Sequence, residues 1–286
     1  MADQTAARKH WEWEIKPESF WFNWNLLQLW NYRHLLLRLV RRDFLIHHQQ
    51  TLLGPLWILF QPLIVLVTYI LIFEKAVGLS TDGLSPTLFY LSGIILWNLF
   101  AESFTATAFT FIQNGALFGK VYFPRLTMPL SSIIVNLVRF GIQFSVFIIL
   151  LTMISPARFV DGTLQMIFAL CWSIPFVAML GLALGLIFSI LTAKYRDLVN
   201  IIHLIVRLLM FATPIIYPLS MVGTSWRKYV LLNPLTTMVE VFRSGFLGQG
   251  TFNSTHIFYS SILTIVLLFI GSMLFNKYSS KLQDVL

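Results

Sequence analysis

Residues 55–74 read PLWILFQPLIVLVTYILIFE, an apolar run with one acid at its far end and no base. A helix needs ~20 such residues to cross the hydrocarbon core of a bilayer. Five more runs of comparable length follow, at about 87–112, 126–154, 164–192, 200–222 and 257–275. Backbone N–H and C=O groups in lipid must be satisfied inside the spanning element, so only helices and closed barrels qualify. The runs lack the alternation and short turns of barrel strands. The predicted fold class is therefore an all-α membrane protein with six transmembrane helices. Composition agrees, with 57% of the 286 residues hydrophobic and 11% charged, against roughly 25% charged in soluble domains.

Lysine and arginine set the orientation. With the N-terminus inside, thirteen of the twenty fall in cytoplasmic segments, five in outside segments (Lys75, Arg158, Arg227, Lys228 and Arg243) and two within spans. This asymmetry predicts that both termini are cytoplasmic. The first residues show neither the apolar core nor the cleavage site of a signal peptide, so the first span is expected to direct insertion. The net charge is +8, but the bases lie beside apolar spans rather than on one polar face, which argues against nucleic acid. A single cysteine, Cys171, excludes an intrachain disulfide.

Residues 25–48 differ from the spans. Leu26, Leu29, Trp30, Leu36, Leu37, Val40 and Phe44 recur at helical spacing and make one apolar face, with Arg38, Arg41 and Arg42 to its side. Trp11, Trp13, Trp21 and Trp24 precede them, and tryptophan favours headgroup level. The segment reads as an amphipathic helix in the cytoplasmic membrane surface. Packing on a partner protein is the ordinary alternative. Gly54 then permits a sharp turn, and Pro55 suits the first turn of the next helix. The chain thus divides into a cytoplasmic N-terminal segment, 1–50, and a six-span membrane domain, 51–286. Between spans five and six, 223–256 holds apolar stretches broken at Asn233-Pro234, which predicts two short re-entrant helices.

Catalytic chemistry is absent from the pattern. GALFGKV, 115–121, has too few residues between its glycines for a phosphate loop, and Val121 stands where a hydroxyl should hold Mg²⁺. No metal-ligand spacing occurs, so no catalytic residue, metal or cofactor is expected in this chain. Gly181, Gly185, Ser189 and Ala193 recur every four residues, a pattern for close helix packing. Glu102, Arg139 and Arg207 fall inside spans. A charge there costs ~2.5–3.5 kcal/mol on insertion scales, so the three are expected to pair or to line a water-filled path.

The motifs QTLLGPLWILFQP, LFYLSGIILWNLF, NGALFGKVYFPR, KYRDL, PIIYP and LNPLTTMVEVFR stand in this order. Together they resemble the permease subunits of type-2 ABC exporters, specifically those for O-antigen, capsular polysaccharide or teichoic acid. The resemblance covers nearly all of 40–245. It implies a homodimer in the bacterial plasma membrane, working with two copies of a separate ATPase that binds ATP and Mg²⁺. It implies a lipid-linked polysaccharide as substrate. It places Leu53 and Gly54 at the cytoplasmic mouth of the channel. It makes Asn114, Lys120, Tyr122, Phe123 and Arg125 part of a segment that docks on the ATPase. It also implies that spans one and five line the channel across the dimer. Where the family commonly has Arg-Tyr, this chain has His47-His48, whose charge depends on pH near neutrality.

Tyr69 and Phe73 share a helical face on the outer half of span one, and Tyr217 lies near the outer end of span five beside Pro214 and Pro218. Flat rings contact the C–H faces of sugars without fixing their hydroxyls, so these three are expected to form part of an aromatic ring in the channel. The alternative is a lipid-facing aromatic belt. Two other functions fit the span pattern: export of a small molecule or lipid by the same architecture, and a membrane enzyme of glycan synthesis. The enzyme is disfavoured, because the loops offer few acids.

Overall fold

The computed structural model describes residues 26–46, 49–118, 123–156, 158, 162–250 and 252–279. Among these residues there are eleven α-helices and no strand. Helices α1 (Leu26–Asn31) and α2 (Arg33–Ile46) form the amphipathic segment, interrupted at Tyr32. Helix α2 buries Leu39 in a cluster with Phe111, Phe118, Phe123, Met128, Leu186 and Phe275. It leaves Leu37, Leu45 and Ile46 exposed, an apolar surface suited to lipid headgroups rather than bulk water. The aromatic residues upstream, Trp11 to Trp24, and His47-His48 lie outside the described residues.

The turn out of α2 is tight. Gln50 and Gly54 both have positive φ, 61° and 52°, a backbone that glycine adopts at no steric cost. Pro55 sits in the short 3₁₀ turn Gly54–Leu56, which feeds α3 (Trp57–Tyr69). The path continues as a π-helix over Ile70–Ala76. Pro62 lies inside α3, so it supplies no N–H to the carbonyl of Ile58 one turn earlier. In lipid no water replaces it. Gln143 does: its Nε2 donates to the Ile58 oxygen at 3.2 Å, and the glutamine is buried.

Helix α4 (Pro86–Ala108) is the central element, buried over most of its circumference. Helix α5 (Thr110–Phe118) follows it after a one-residue break at Phe109. Helices α6 (Thr127–Ile154) and α7 (Thr163–Lys194) pack on α4. The small-residue stripe of α7 explains the closeness of that contact. A Cβ at Gly181 would stand 2.7 Å from the Ser103 Cβ and 3.0 Å from the Phe100 oxygen. Helix α11 (Ser254–Ser279) covers another face of α7, where Trp172 Nε1 donates to Ser261 Oγ at 3.1 Å.

The fifth apolar run departs from expectation. It forms α8 (Leu198–Ala212), a helix of 15 residues, roughly 22 Å long at ~1.5 Å per residue and short of the ~30 Å hydrocarbon core. Pro214 is the reason: Thr213 before it is extended, at φ −103° and ψ 138°, as a following proline favours. The chain then runs irregularly to a 3₁₀ turn at Leu219–Met221. The other five runs each form a helical stretch long and apolar enough to span.

Two helices fill the segment after the fifth run, α9 (Thr224–Leu232) and α10 (Pro234–Leu247). Asn233 accepts from the N–H of Leu235, Pro234 opens α10, and left-handed Gly248 closes it with its N–H on the carbonyls of Arg243 and Ser244. This is the asymmetry expected of helix ends. Helix α9 exposes Trp226 and Tyr229, whereas α10 is buried against α4, α7 and α11.

Candidate functional site

Two clusters of charged and polar groups stand out among the described helices. The first lies toward the C-terminal half of α4. There Arg139 Nη1 of α6 pairs with Glu102 Oε2 of α4 at 3.2 Å, the arginine side chain 16% and the glutamate 35% exposed. A pair is the arrangement that makes two charges tolerable inside a membrane protein. Around it opens a cavity of ≈ 640 Å³. Helix α6 contributes Ser132, Asn136 and Arg139, spaced four and three residues apart and so on one face. Helix α2 contributes Arg42 and Asp43, α5 contributes Gln113 and Asn114, and α8 contributes His203. Arg42 binds Asp43 at 2.7 Å and donates from Nη2 to Asn114 Oδ1 at 3.1 Å. The surface helix is thereby tied to α5. Phe109 meets the His203 ring at 5.3 Å between centroids, which closes one wall.

The second cluster centres on Arg243 of α10, 1% exposed. Its Nη1 donates to the Pro214 carbonyl at 2.6 Å, and its Nη2 donates to the carbonyls of Ile215 at 3.0 Å and Phe89 at 3.4 Å. Nε reaches Ser92 Oγ at 3.4 Å, Glu240 stands 3.7 Å away, and the guanidinium lies 3.8 Å from the centroid of the Phe89 ring. The break after α8 leaves carbonyls without helical donors. One planar, five-donor head satisfies them and joins α4, α8 and α10. Two further bonds reinforce the break: Asn233 Nδ2 donates to Thr213 Oγ1 at 2.9 Å, and Tyr217 donates from its hydroxyl to the Phe211 oxygen at 3.0 Å.

The predicted site residues fall as follows. Leu53 and Gly54 form the turn between α2 and α3, with Leu53 36% exposed. Tyr69 is half-buried, edge-on to Phe73 at 5.5 Å and to Tyr90 at 6.0 Å, and its hydroxyl reaches Met210 Sδ of α8 at 3.7 Å. Helices α3 and α8 therefore touch at Tyr69. Tyr217 is half-buried in the irregular segment beyond α8. Arg207 is exposed on α8 and forms no ion pair among the described residues. Asn114 lines the cavity. Phe123 is 6% exposed and stacks on Phe118 at 5.6 Å, so it anchors its segment inward. Arg125 is half-buried, and Lys120 and Tyr122 lie outside the described residues.

Arg243, Asn136 and Arg42 carry these clusters, yet from the sequence Arg243 reads only as an outside cation, Arg42 only as a flank of the surface helix, and Asn136 as nothing in particular. Signals existed. Glu240 and Arg243, three apart in an apolar stretch, are a self-neutralising pair. Ser132, Asn136, Arg139 and Gln143 make a polar stripe along one face of an apolar span.

Residues 34–247 match the family described as ABC-2 type transporter. The chain belongs to that family. Among its relatives, an O-antigen export system permease protein of Klebsiella pneumoniae is 28% identical over 256 residues, which cover 88% of this chain and 95% of the relative. A protein of the same description from Myxococcus xanthus is 26% identical, over 87% and 94% of the two chains. A polysialic acid transport protein of Escherichia coli is 26% identical over 226 residues, 78% of this chain and 85% of that one. As an ABC-2 transporter chain, the molecule is a membrane transport subunit with several membrane-spanning helices.

Proposed function

We propose that this chain is the channel-forming membrane subunit of an ATP-driven exporter of lipid-linked cell-surface polysaccharide. The observation that carries the substrate class is the near full-length similarity to permeases named for O-antigen export. The structure supports a channel built between copies. Helix α3 exposes Phe60, Ile64 and Val67, and α8 exposes Ile201, Leu204, Leu208 and Phe211. Two apolar helices that touch at Tyr69 and Met210 and leave broad faces uncovered suit a second copy of the same chain.

In this reading both termini face the cytoplasm. The fifth crossing is α8 with its irregular extension to Met221, and α9 and α10 form the re-entrant pair on the outer side. Leu53 and Gly54 border the entrance, while Tyr69, Phe73 and Tyr217 contribute aromatic surface near the exit. The segment from Asn114 to Arg125 docks on a cytoplasmic ATPase, two copies of which supply the energy by hydrolysing Mg-ATP. The chain itself performs no catalysis. Division into a surface segment, 1–50, and a membrane domain, 51–286, follows the same scheme.

Co-purification with a cytoplasmic ABC ATPase, followed by ATP hydrolysis with and without lipid-linked polysaccharide, tests the proposal. Stimulation by the polymer is expected. Hydrolysis stimulated instead by a small drug or free lipid, and indifferent to polymer, contradicts it.

A further inference from the structure

Arg207 is the one formal charge on α3 and α8 together, and it stands without a counter-ion. No acid occurs between Trp57 and Phe73 or between Leu198 and Ala212. The arginine is exposed and forms neither an ion pair nor a hydrogen bond among the described residues. Lys194, Arg196 and Asp197 mark the polar boundary just before α8. Arg207 lies nine positions beyond Leu198, the first residue of the helix. At ~1.5 Å per residue that is about 14 Å along, near the middle of a ~30 Å hydrocarbon core. A charge at that depth does not face lipid; it pairs, or it lines a water-filled path. A second copy has no acid to offer. Within the apolar runs Glu102 is held by Arg139 at 3.2 Å, and Glu74 lies at the outer end of the first run.

The surface around Arg207 is polar as well. Asn200, His203 and Arg207, at i, i+3 and i+7, make one exposed stripe of α8, beside the apolar strip of Ile201, Leu204 and Leu208. Helix α3 repeats the arrangement, with Gln61 and Thr68 exposed next to Phe60, Ile64 and Val67. In the proposed topology these helices are the first and fifth crossings and run in one direction. Tyr69 and Met210, which meet at 3.7 Å, each stand twelve positions past the start of their helix. That register sets Arg207 at a height between Gln61 and Thr68. Each helix thus offers an apolar strip for a second copy and, beside it, a polar strip for water.

A guanidinium presents five donors in a planar fork that matches the oxygens of a phosphate or carboxylate. An exposed, unpaired one takes such a group and releases it. In a two-fold pair both copies bring the same guanidinium to the path. We infer that Arg207 is the anion contact of the export path, binding the oxyanions of the substrate, phosphate or carboxylate, as they pass. The inference rests on the reading of this chain as an exporter. The oxyanion comes either from a phosphate that joins glycan to lipid or from acidic sugars in the glycan.

Two arms test it. Leu204 is exposed and three residues from Arg207, a spacing of about 5–6 Å between Cβ atoms on a helix. The complex with the proposed partner ATPase, carrying Cys171→Ser and Leu204→Cys, is treated in liposomes during Mg-ATP turnover with an anionic and a cationic methanethiosulfonate of similar size. The anionic reagent is expected to react faster, and Arg207→Gln to lower the anionic-to-cationic rate ratio about ten-fold, because the lost charge acts on both reagents with opposite sign. Arg207→Lys keeps the charge and should keep the ratio. A ratio that Arg207→Gln leaves unchanged overturns the inference, and so does a cysteine that neither reagent reaches, which puts this face in lipid. In the second arm, export of a polymer with acidic sugars is compared with export of a neutral one on the same phosphate-linked lipid. Slower export of both by Arg207→Gln, restored in Arg207→Lys, assigns the contact to the linker; loss confined to the acidic polymer assigns it to the sugars. Equal export of both polymers by wild type and Arg207→Gln overturns the inference. A wild type that exports neither contradicts the proposed function, and the rate ratio then still decides whether Arg207 draws anions.

Discussion

Replacing Arg243 with methionine keeps a long side chain but removes every donor from the junction behind α8. The carbonyls of Pro214, Ile215 and Phe89 lose bonds of 2.6, 3.0 and 3.4 Å, and Glu240 loses the cation 3.7 Å away. Arg243 and Glu240 are 1% and 4% exposed, so bulk water substitutes poorly. Breaking a buried charge pair costs about 3–5 kcal/mol, and a carbonyl stripped of its donor about 1–3 kcal/mol. These overlap, because the break can relax once the arginine is gone. A net destabilisation of about 4–6 kcal/mol, below the plain sum, is expected. Unfolding of the purified protein in mixed micelles of rising SDS content measures it. Arg243→Met with Glu240→Gln removes the stranded charge and is expected to recover about 2 kcal/mol. Arg243→Lys keeps the charge but, with one compact head, cannot reach three carbonyls, and should fall between wild type and Arg243→Met. A loss under about 1 kcal/mol for Arg243→Met, the net worth of an ordinary hydrogen bond, refutes the idea that this arginine holds the broken span.

Gln143→Leu strands the Ile58 carbonyl and should cost about 1–3 kcal/mol in the same assay. Pro62→Ala restores the missing N–H, so the double variant should lose less than Gln143→Leu alone, and equal losses contradict the pairing. Gly181→Leu forces α4 and α7 apart at Ser103 and Phe100; overpacking of about 1–3 kcal/mol should show as a lowered unfolding midpoint, and an unchanged midpoint contradicts the close contact. In a Cys171→Ser background, an impermeant thiol reagent on intact cells should label Lys228→Cys and spare Lys277→Cys; the reverse pattern inverts the proposed orientation.

Much of the helix layout was legible because lipid leaves the backbone so few options. Runs that must satisfy their own N–H and C=O groups become helices, and five did so near the expected bounds. The fifth was read too long because its apolar composition continues past Pro214, while its hydrogen bonding does not. The small-residue stripe on α7 was legible as packing, since spacing alone places it on one face. The Arg243 junction was not. A charge between spans reads from sequence as a loop cation. Its burial depends on carbonyls contributed by α4 and by the chain after α8, residues far away along the chain. The cavity wall was half legible: Glu102 and Arg139 stood out as charges in spans, but Asn136 is neutral and its place on that wall follows only from the packing of α6 on α4.

Transport by the reconstituted complex tests the proposed function most directly. The chain and the proposed partner ATPase, placed in liposomes with the nucleotide-binding side outward, would receive Mg-ATP and a lipid-linked polysaccharide bearing a fluorescent sugar. An exporter permease gives ATP-dependent protection of the polymer from an external glycosidase, absent with a hydrolysis-deficient ATPase. Robust ATP hydrolysis by the same complex with no polymer protected would contradict the proposal.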